Sequence, residues 1–346
     1  MPKIQNINNI DDIKDLARHA AKGTTPTTEY SSVDVDESLR EEMNSLCKTY
    51  REFQRNKNDI FEIIEETADE IVPKKVEFLM GPFAEIKQTA NGVKTVFKQR
   101  VGKNRAKKFL TQVGLSGVYE TFRLDSSTFE LKAHAIGGGA YLDFERFLSG
   151  DENMSEYMDI ILEGLEEAVT GEVLKALKAS YTNTSRPAAN KKESNTFEAD
   201  KMVALCNTVK AYGNGATIFA TADFIAGMGI DNFGTTALPG YSAIEIEEMR
   251  TKGKVGLFRG NPIVEIPNSY TDETNTTTKV DSAYAYVLPT GGEKVVKILF
   301  EGNTEIHDFE NRDNSMEMHA YKKFGVAILT HYNWGIYKNA SLVVTG

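Results

Sequence analysis

Cysteine is scarce: the 346-residue chain has two, Cys47 and Cys206, far apart in sequence. Two distant thiols build no disulfide framework, and a reducing compartment is the expected setting. Net positive charge is also lacking. Lys and Arg number 40 against 50 Asp and Glu, a formal net charge of −10. A protein whose main task is gripping phosphate backbones usually carries the opposite sign, so any nucleic-acid contact would fall to a local basic segment. No apolar run approaches the length of a membrane span. The N-terminal MPKIQNINNIDDIKDL contains no apolar signal core, and a soluble cytosolic species is expected.

Catalytic signatures are absent as well. The chain has no GxxxxGK phosphate loop, no HExxH, no CxxC pair and no GxSxG elbow, so the reading is not an enzyme, with no catalytic residue, metal or cofactor. The glycines of GMGIDNFG and Gly137-Gly138-Gly139 fit no dinucleotide turn and read as loops. None of the five histidines (His19, His134, His307, His319, His331) has a second histidine or a cysteine at helical i+4 or strand i+2 spacing. His307-Asp308 is the best candidate for an oriented imidazole, although triad partners need proximity in space rather than in sequence. Acidic runs such as Glu65-Glu66 and Glu245 to Glu248 read as solvated faces.

What is present is a mixture of helical and strand patterns. Residues 1–36 are polar and read as an arm. Leu39, Met43, Leu46, Tyr50 and Phe53 alternate steps of four and three, one helical stripe, and Arg55 to Asp59 interrupt it. A second helix starts at Asn58 or Asp59, carries Ile60, Ile63, Ile64 and Ile71, and stops at Pro73. Between Gly81 and Ile136 the turn Asn91-Gly92, VKTVFKQRV and TFELKAHAI predict a long two-stranded excursion. Its tip is basic: Lys98, Arg100, Lys103, Arg105, Lys107 and Lys108 stand in 98–108 with no acid among them. An isolated hairpin is marginal in water, so something beyond its own strands must support it. The tip reads as a docking element for an acidic surface of another copy, since complementary patches set register between partners.

The strongest helix covers about 152–179, with Met154, Met158, Ile161, Leu162, Leu165, Val169, Val173 and Leu177 on its apolar face. At 1.5 Å per residue it spans roughly 40 Å. Gly164 and Gly171 each cost about 1 kcal/mol of helix propensity against alanine, which points to close approach by another backbone. Downstream, FEADKMVALCNTVKAY and ADFIAGM predict helices, and ATIFAT and PIVEIPN predict strands. AYAYVL and KVVKILF predict a hairpin turning at Pro289 to Gly292. GVAIL and GIYKNASLVV close the chain as strands. Helices and strands mix without βαβ regularity, so the class is α+β.

This order of segments resembles the major capsid proteins of tailed bacteriophages, the family with the Hong Kong ninety-seven-type shell fold. The resemblance covers about 80–346. It rests on the extended loop, on AYLDFERFLSG leading into the long helix, on ATIFATADFIAGM and GLFRGNPIVEIPNS, and on the closing NSMEMHAYKKFGVAILTHYNWGIYKNAS.

The resemblance implies an α+β capsid fold with an N-terminal arm and helical segment (1–80) and an extended two-stranded loop (81–140). A peripheral domain with a spine helix (141–200 and 280–346) and a mixed axial domain (201–279) complete it. It further implies pentamers and hexamers of the same chain forming an icosahedral shell around packaged double-stranded DNA, without sequence-specific binding or a membrane. Scaffold, portal or decoration proteins are further partners in such systems, and the virion, assembled in the bacterial cytoplasm, is the implied location. An encapsulin-type shell and a cytosolic α+β enzyme are the alternatives.

Overall fold

The computed structural model describes residues 10–25, 31–46, 48–81, 83–100, 126–142, 154–183, 186–211, 215–228, 256–270, 274–290, 294–310, 316–329 and 333–342. Two sheets and a layer of helices share one large apolar core.

Three helices open the chain: α1 (Ile10–Lys22), α2 (Ser32–Leu46) and α3 (Tyr50–Met80). The arm expected over 1–36 therefore contains a packed helix. Ile13, Leu16 and Ala17 of α1 are buried, and its cations form a ladder along α3. Lys14 meets Glu62 and Glu66, Arg18 meets Glu66 and Glu70, and Lys22 meets Glu70. Four-residue spacing on both helices puts each set on one face, which is why the ladder forms.

The predicted break at Arg55 to Asp59 does not occur, and Pro73 does not end the helix. The chain breaks earlier, where Thr49 caps α3 by accepting from the Glu52 N–H at 3.2 Å. The polar run stays helical because its side chains have distant partners: Asn56 donates to the Leu46 carbonyl at the end of α2, and Lys57 pairs with Asp308. Pro73 deletes one helical hydrogen bond at a cost of about 3 kcal/mol. Burial of Val72, Val76 and Met80 on the core side of the same helix outweighs that loss.

Strands β1 (Ala84–Thr89), β2 (Val96–Arg100), β3 (Ser126–Glu130) and β4 (His134–Leu142) follow, and α4 (Met154–Ala179) is the expected long helix. Next come β5 (Lys191–Ser194), α5 (Ala199–Lys210), β6 (Gly215–Thr221) and α6 (Ala222–Gly227). Strands β7 (Leu257–Phe258), β8 (Asn261–Ile266), β9 (Tyr284–Thr290), β10 (Val296–Glu310), β11 (Met316–Ile328) and β12 (Gly335–Asn339) complete the fold.

The four-stranded sheet has the order β1-β10-β11-β4, and the six-stranded sheet β5-β12-β9-β6-β8-β7. The hairpin predicted from AYAYVL to KVVKILF does not form. Strand β9 is hydrogen-bonded between β6 and β12, whereas β10 lies between β1 and β11 in the other sheet. Both strands fill both of their edges with other partners, so the chain crosses between sheets here. Consequently β9 and β12, from the stretch assigned to the peripheral domain, belong to the sheet built on β6 and β8.

Alternation sorts the six-stranded sheet's side chains. Ile218, Ala220, Val287 and Tyr337 face a core with α5 and α6, whereas Phe219, Tyr286, Leu288 and Ile336 join the large core with α3 and α4. Gly137 to Gly139, expected as a loop, lie inside β4 opposite Tyr321, Ala320 and His319. A Cβ at Gly137 would sit 2.7 Å from the Ala320 carbonyl, and one at Gly139 would sit 2.7 Å from the His319 ring. At Gly137 the obstacle is backbone, so a side chain there has to displace the neighbouring strand, whereas Gly138 has open space.

Candidate assembly interface

The two-stranded excursion is present at its base. Strands β2 and β3 pair antiparallel, Val96 with Glu130 through Arg100 with Ser126, in a sheet of their own. The flanking strands β1 and β4 both belong to the four-stranded sheet, so the ribbon is an insertion between two anchored ends. Its root is fixed by Phe97, fully buried, which stacks on Phe129 at 5.9 Å and lies under the Lys87 ammonium at 4.5 Å. Lys87 also donates to the Val96 carbonyl at 2.8 Å. Lys87 stands opposite Leu299 in register, while its neighbour Ile86 stands opposite Ile298 in the helix-covered core. Successive residues alternate faces, so the ribbon leaves from the sheet face that α3 and α4 do not cover.

Of the six basic positions, Lys98 is exposed on β2 and Arg100 ends that strand. Lys103, Arg105, Lys107 and Lys108 lie outside the described residues, as do 229–241, Glu245 to Glu248, His331 and Cys47.

The chemical candidates are not brought together. His307 and Asp308 are consecutive on β10 and point to opposite faces. Asp308 turns inward to Lys57 at 2.8 Å, and His307 turns outward, 3.8 Å from Glu305. Opposite His307 across the ladder stands His319 of β11, whose ring lies 3.4 Å from Glu317. Among the described residues no group of three His, Cys, Asp or Glu side chains could hold a metal ion. Cys206 is buried, and burial pushes its thiol up to about 11, so it is a core residue rather than a nucleophile.

The solvent face of α4 was not singled out in sequence. Ile160 is 62% exposed there, one turn from Glu156 and Gly164, a polar neighbourhood that marks it as lying off the apolar stripe. From Glu156 to Thr170 the helix carries Glu156, Asp159, Glu163, Glu166 and Glu167 and no basic residue. Glu166 pairs with Lys75 at 3.5 Å and Glu167 with Lys279 at 2.5 Å. The Asp159 carboxyl is held above its ordinary value, first by burial and then by the like charges of Asp36, Glu163 and Glu156. The close approach expected at the glycines is not made by any of the described residues: Gly164 has none of them within 4 Å of where a Cβ would sit, and Gly171 has only the Lys279 Cε at 3.9 Å.

A family model described as "SPbeta prophage-derived putative capsid protein YonB" matches residues 8–338. The chain belongs to the YonB family of capsid proteins. No curated protein sequence matches it. Among solved structures, a chain of Microbacterium phage Oxtober96 is similar with TM-score 0.50 at 10% identity, over 75% of this chain and 90% of that one. A chain of the capsid of cyanophage P-SCSP1u is similar with TM-score 0.50 at 9% identity, over 74% and 86%. At such identities the likeness is one of fold, and it bears out the α+β capsid fold. The family makes this a bacteriophage capsid protein with a structural role.

Proposed function

We propose that copies of this chain, as a major capsid protein, close into an icosahedral shell of pentamers and hexamers around packaged phage DNA in the virion. The observation that carries the reading is the β2–β3 ribbon. It is rooted in the four-stranded sheet yet pairs with no strand beyond itself among the described residues. A two-stranded ribbon of this kind is marginal alone, so a neighbouring copy supplies its support. Repetition of modest contacts around closed rings then makes the shell stable. A net charge of −10 suits a container, because packaged phosphates are repelled overall.

The basic tip is the contact element in this scheme. Neutralising Lys103, Arg105, Lys107 and Lys108 to Gln is expected to abolish or greatly reduce particle yield at 0.1 M salt. Protomer stability should change by no more than about 0.5 kcal/mol, as for surface substitutions in general. Sedimentation velocity separates particles from protomers. Normal particle yield across salt concentrations would remove the tip from the interface.

A further inference from the structure

We propose that a cleft between the C-terminal half of α4 and the loop joining β8 to β9 binds a small amphipathic anion, an apolar body carrying one acidic head. The site is independent of the shell reading and involves neither the ribbon nor its basic tip.

Two compartments of different chemistry meet there. The first, of about 330 Å³, has Phe83, Leu174, Phe219, Ile266 and Val280 among its walls. The second, of about 460 Å³, is lined by Lys175, Lys178, Lys279 and Tyr286 together with Asp281. Gly171 and Lys279 line both, so one elongated ligand spans the two. Sites of this size bind small molecules through apolar walls, and a few polar groups fix the orientation. Gly171 weakens the helix propensity of α4, and the described atom nearest to a Cβ there would be the Lys279 Cε at 3.9 Å. The missing side chain keeps the passage between the compartments open.

Tyr286 marks the polar end. It is 2% exposed and lines the second compartment, and its hydroxyl has no hydrogen-bond partner among the described residues. A buried hydroxyl without a partner is costly, and a ligand oxygen satisfies it. Burial first, then the charges of Asp281 and Tyr284, push the phenol above its ordinary value, so it donates at neutral pH. The cations make the accepting head an anion. Lys178 engages Asp281 at 2.6 Å and Lys279 engages Glu167 at 2.5 Å, which neutralises the carboxylate beside Tyr286. Lys175, 78% exposed and 3.5 Å from Glu172, is the least committed of the three. Glu166 and Glu265 line the apolar compartment instead, so like charge turns the head away from that end.

Calorimetric titration of the full-length protein with octanoate tests the site, beside octanol, which lacks the acidic head, and acetate, which lacks the body. Octanoate should bind once per protomer, octanol about tenfold more weakly, and acetate not measurably. Tyr286→Phe should weaken octanoate about tenfold, Lys175→Gln several-fold, and Gly171→Leu should block it, with thermal unfolding checking that each variant is folded. If Gly171→Leu does not fold, the other two variants decide. No octanoate binding, octanol binding as tightly as octanoate, or unchanged affinity in both Tyr286→Phe and Lys175→Gln overturns the site and leaves the shell reading intact. Binding to protomers that disappears in particles also overturns it, because a neighbouring copy then fills the cleft. Octanoate binding with the predicted variant effects in a protein that never forms particles upholds the site while the shell reading falls.

Discussion

Asp69 on α3 and Lys322 on β11 meet as an ion pair beneath the helical layer, with the lysine side chain 3% exposed. The same carboxylate oxygen accepts from the Thr304 backbone N–H at 2.8 Å and from its hydroxyl at 2.6 Å. One turn away, Glu65 accepts from the Ile306 N–H at 2.7 Å. Strand β10 is irregular here, its pairing with β11 shifting between Glu301 and Glu305. Helix α3 therefore satisfies backbone groups of the long sheet as well as covering its apolar face, and the N-terminal helices are integral to the protomer.

Removing one partner of this pair leaves the other charge buried and uncompensated, which costs about 3–5 kcal/mol. Asp69→Ala is expected to destabilise the protomer by that amount in urea titration. Asp69→Leu combined with Lys322→Met should recover only part of the loss, because the buried Thr304 N–H and hydroxyl still lose their acceptor. Equal stability of Asp69→Ala and the parent would place the helical layer outside the cooperative core.

The α1–α3 ladder makes docking of α1 sensitive to acid. Hydrogen bonds from Lys22 and Lys74 lower the Glu70 carboxyl from 4.5 to about 2. The hydrogen bond and charge of Lys14 lower that of Glu62. Carboxyls lowered in the folded state contribute stability above their unfolded value and lose it as pH falls towards the folded one. Amide protection over 10–22, corrected for intrinsic exchange, should be flat above about pH 4.5 and fall several-fold between there and pH 2. High salt should weaken the exposed pairs at neutral pH. Protection unchanged at pH 3 would leave the apolar contacts of Ile13 and Leu16 as the whole attachment.

The glycines of β4 give a graded test. Gly137→Ala drives a Cβ to 2.7 Å from the Ala320 carbonyl and 2.8 Å from the Tyr321 Cβ, and should cost about 1–3 kcal/mol. Gly138→Ala meets nothing within 4 Å and should change stability by about 0.5 kcal/mol or less. Thermal unfolding of the two variants side by side checks the contrast.

Much of this fold was legible in the residue order. The long helix announced itself because Met158, Leu162, Leu165, Val169, Val173 and Leu177 repeat at helical spacing, and all six are buried. The Asn91-Gly92 turn was legible for a local reason: Gly92 adopts a φ of +80° that glycine takes without strain. Helix α1 was not legible. Lys14, Arg18 and Lys22 look like solvated charge until Glu62, Glu66 and Glu70 stand opposite them. The split of β9 from β10 was hidden because Pro289 to Gly292 permits a turn without saying which sheet each strand will join. His307-Asp308 misled because neighbours on a strand face apart.

The account stands on the incompleteness of the single protomer. Electron microscopy of the purified full-length protein under assembling conditions tests that most directly. Closed icosahedral particles, each subunit's ribbon resting on its neighbour, are the predicted result. A stable monodisperse monomer with the 96–130 ribbon folded against its own body would contradict the account.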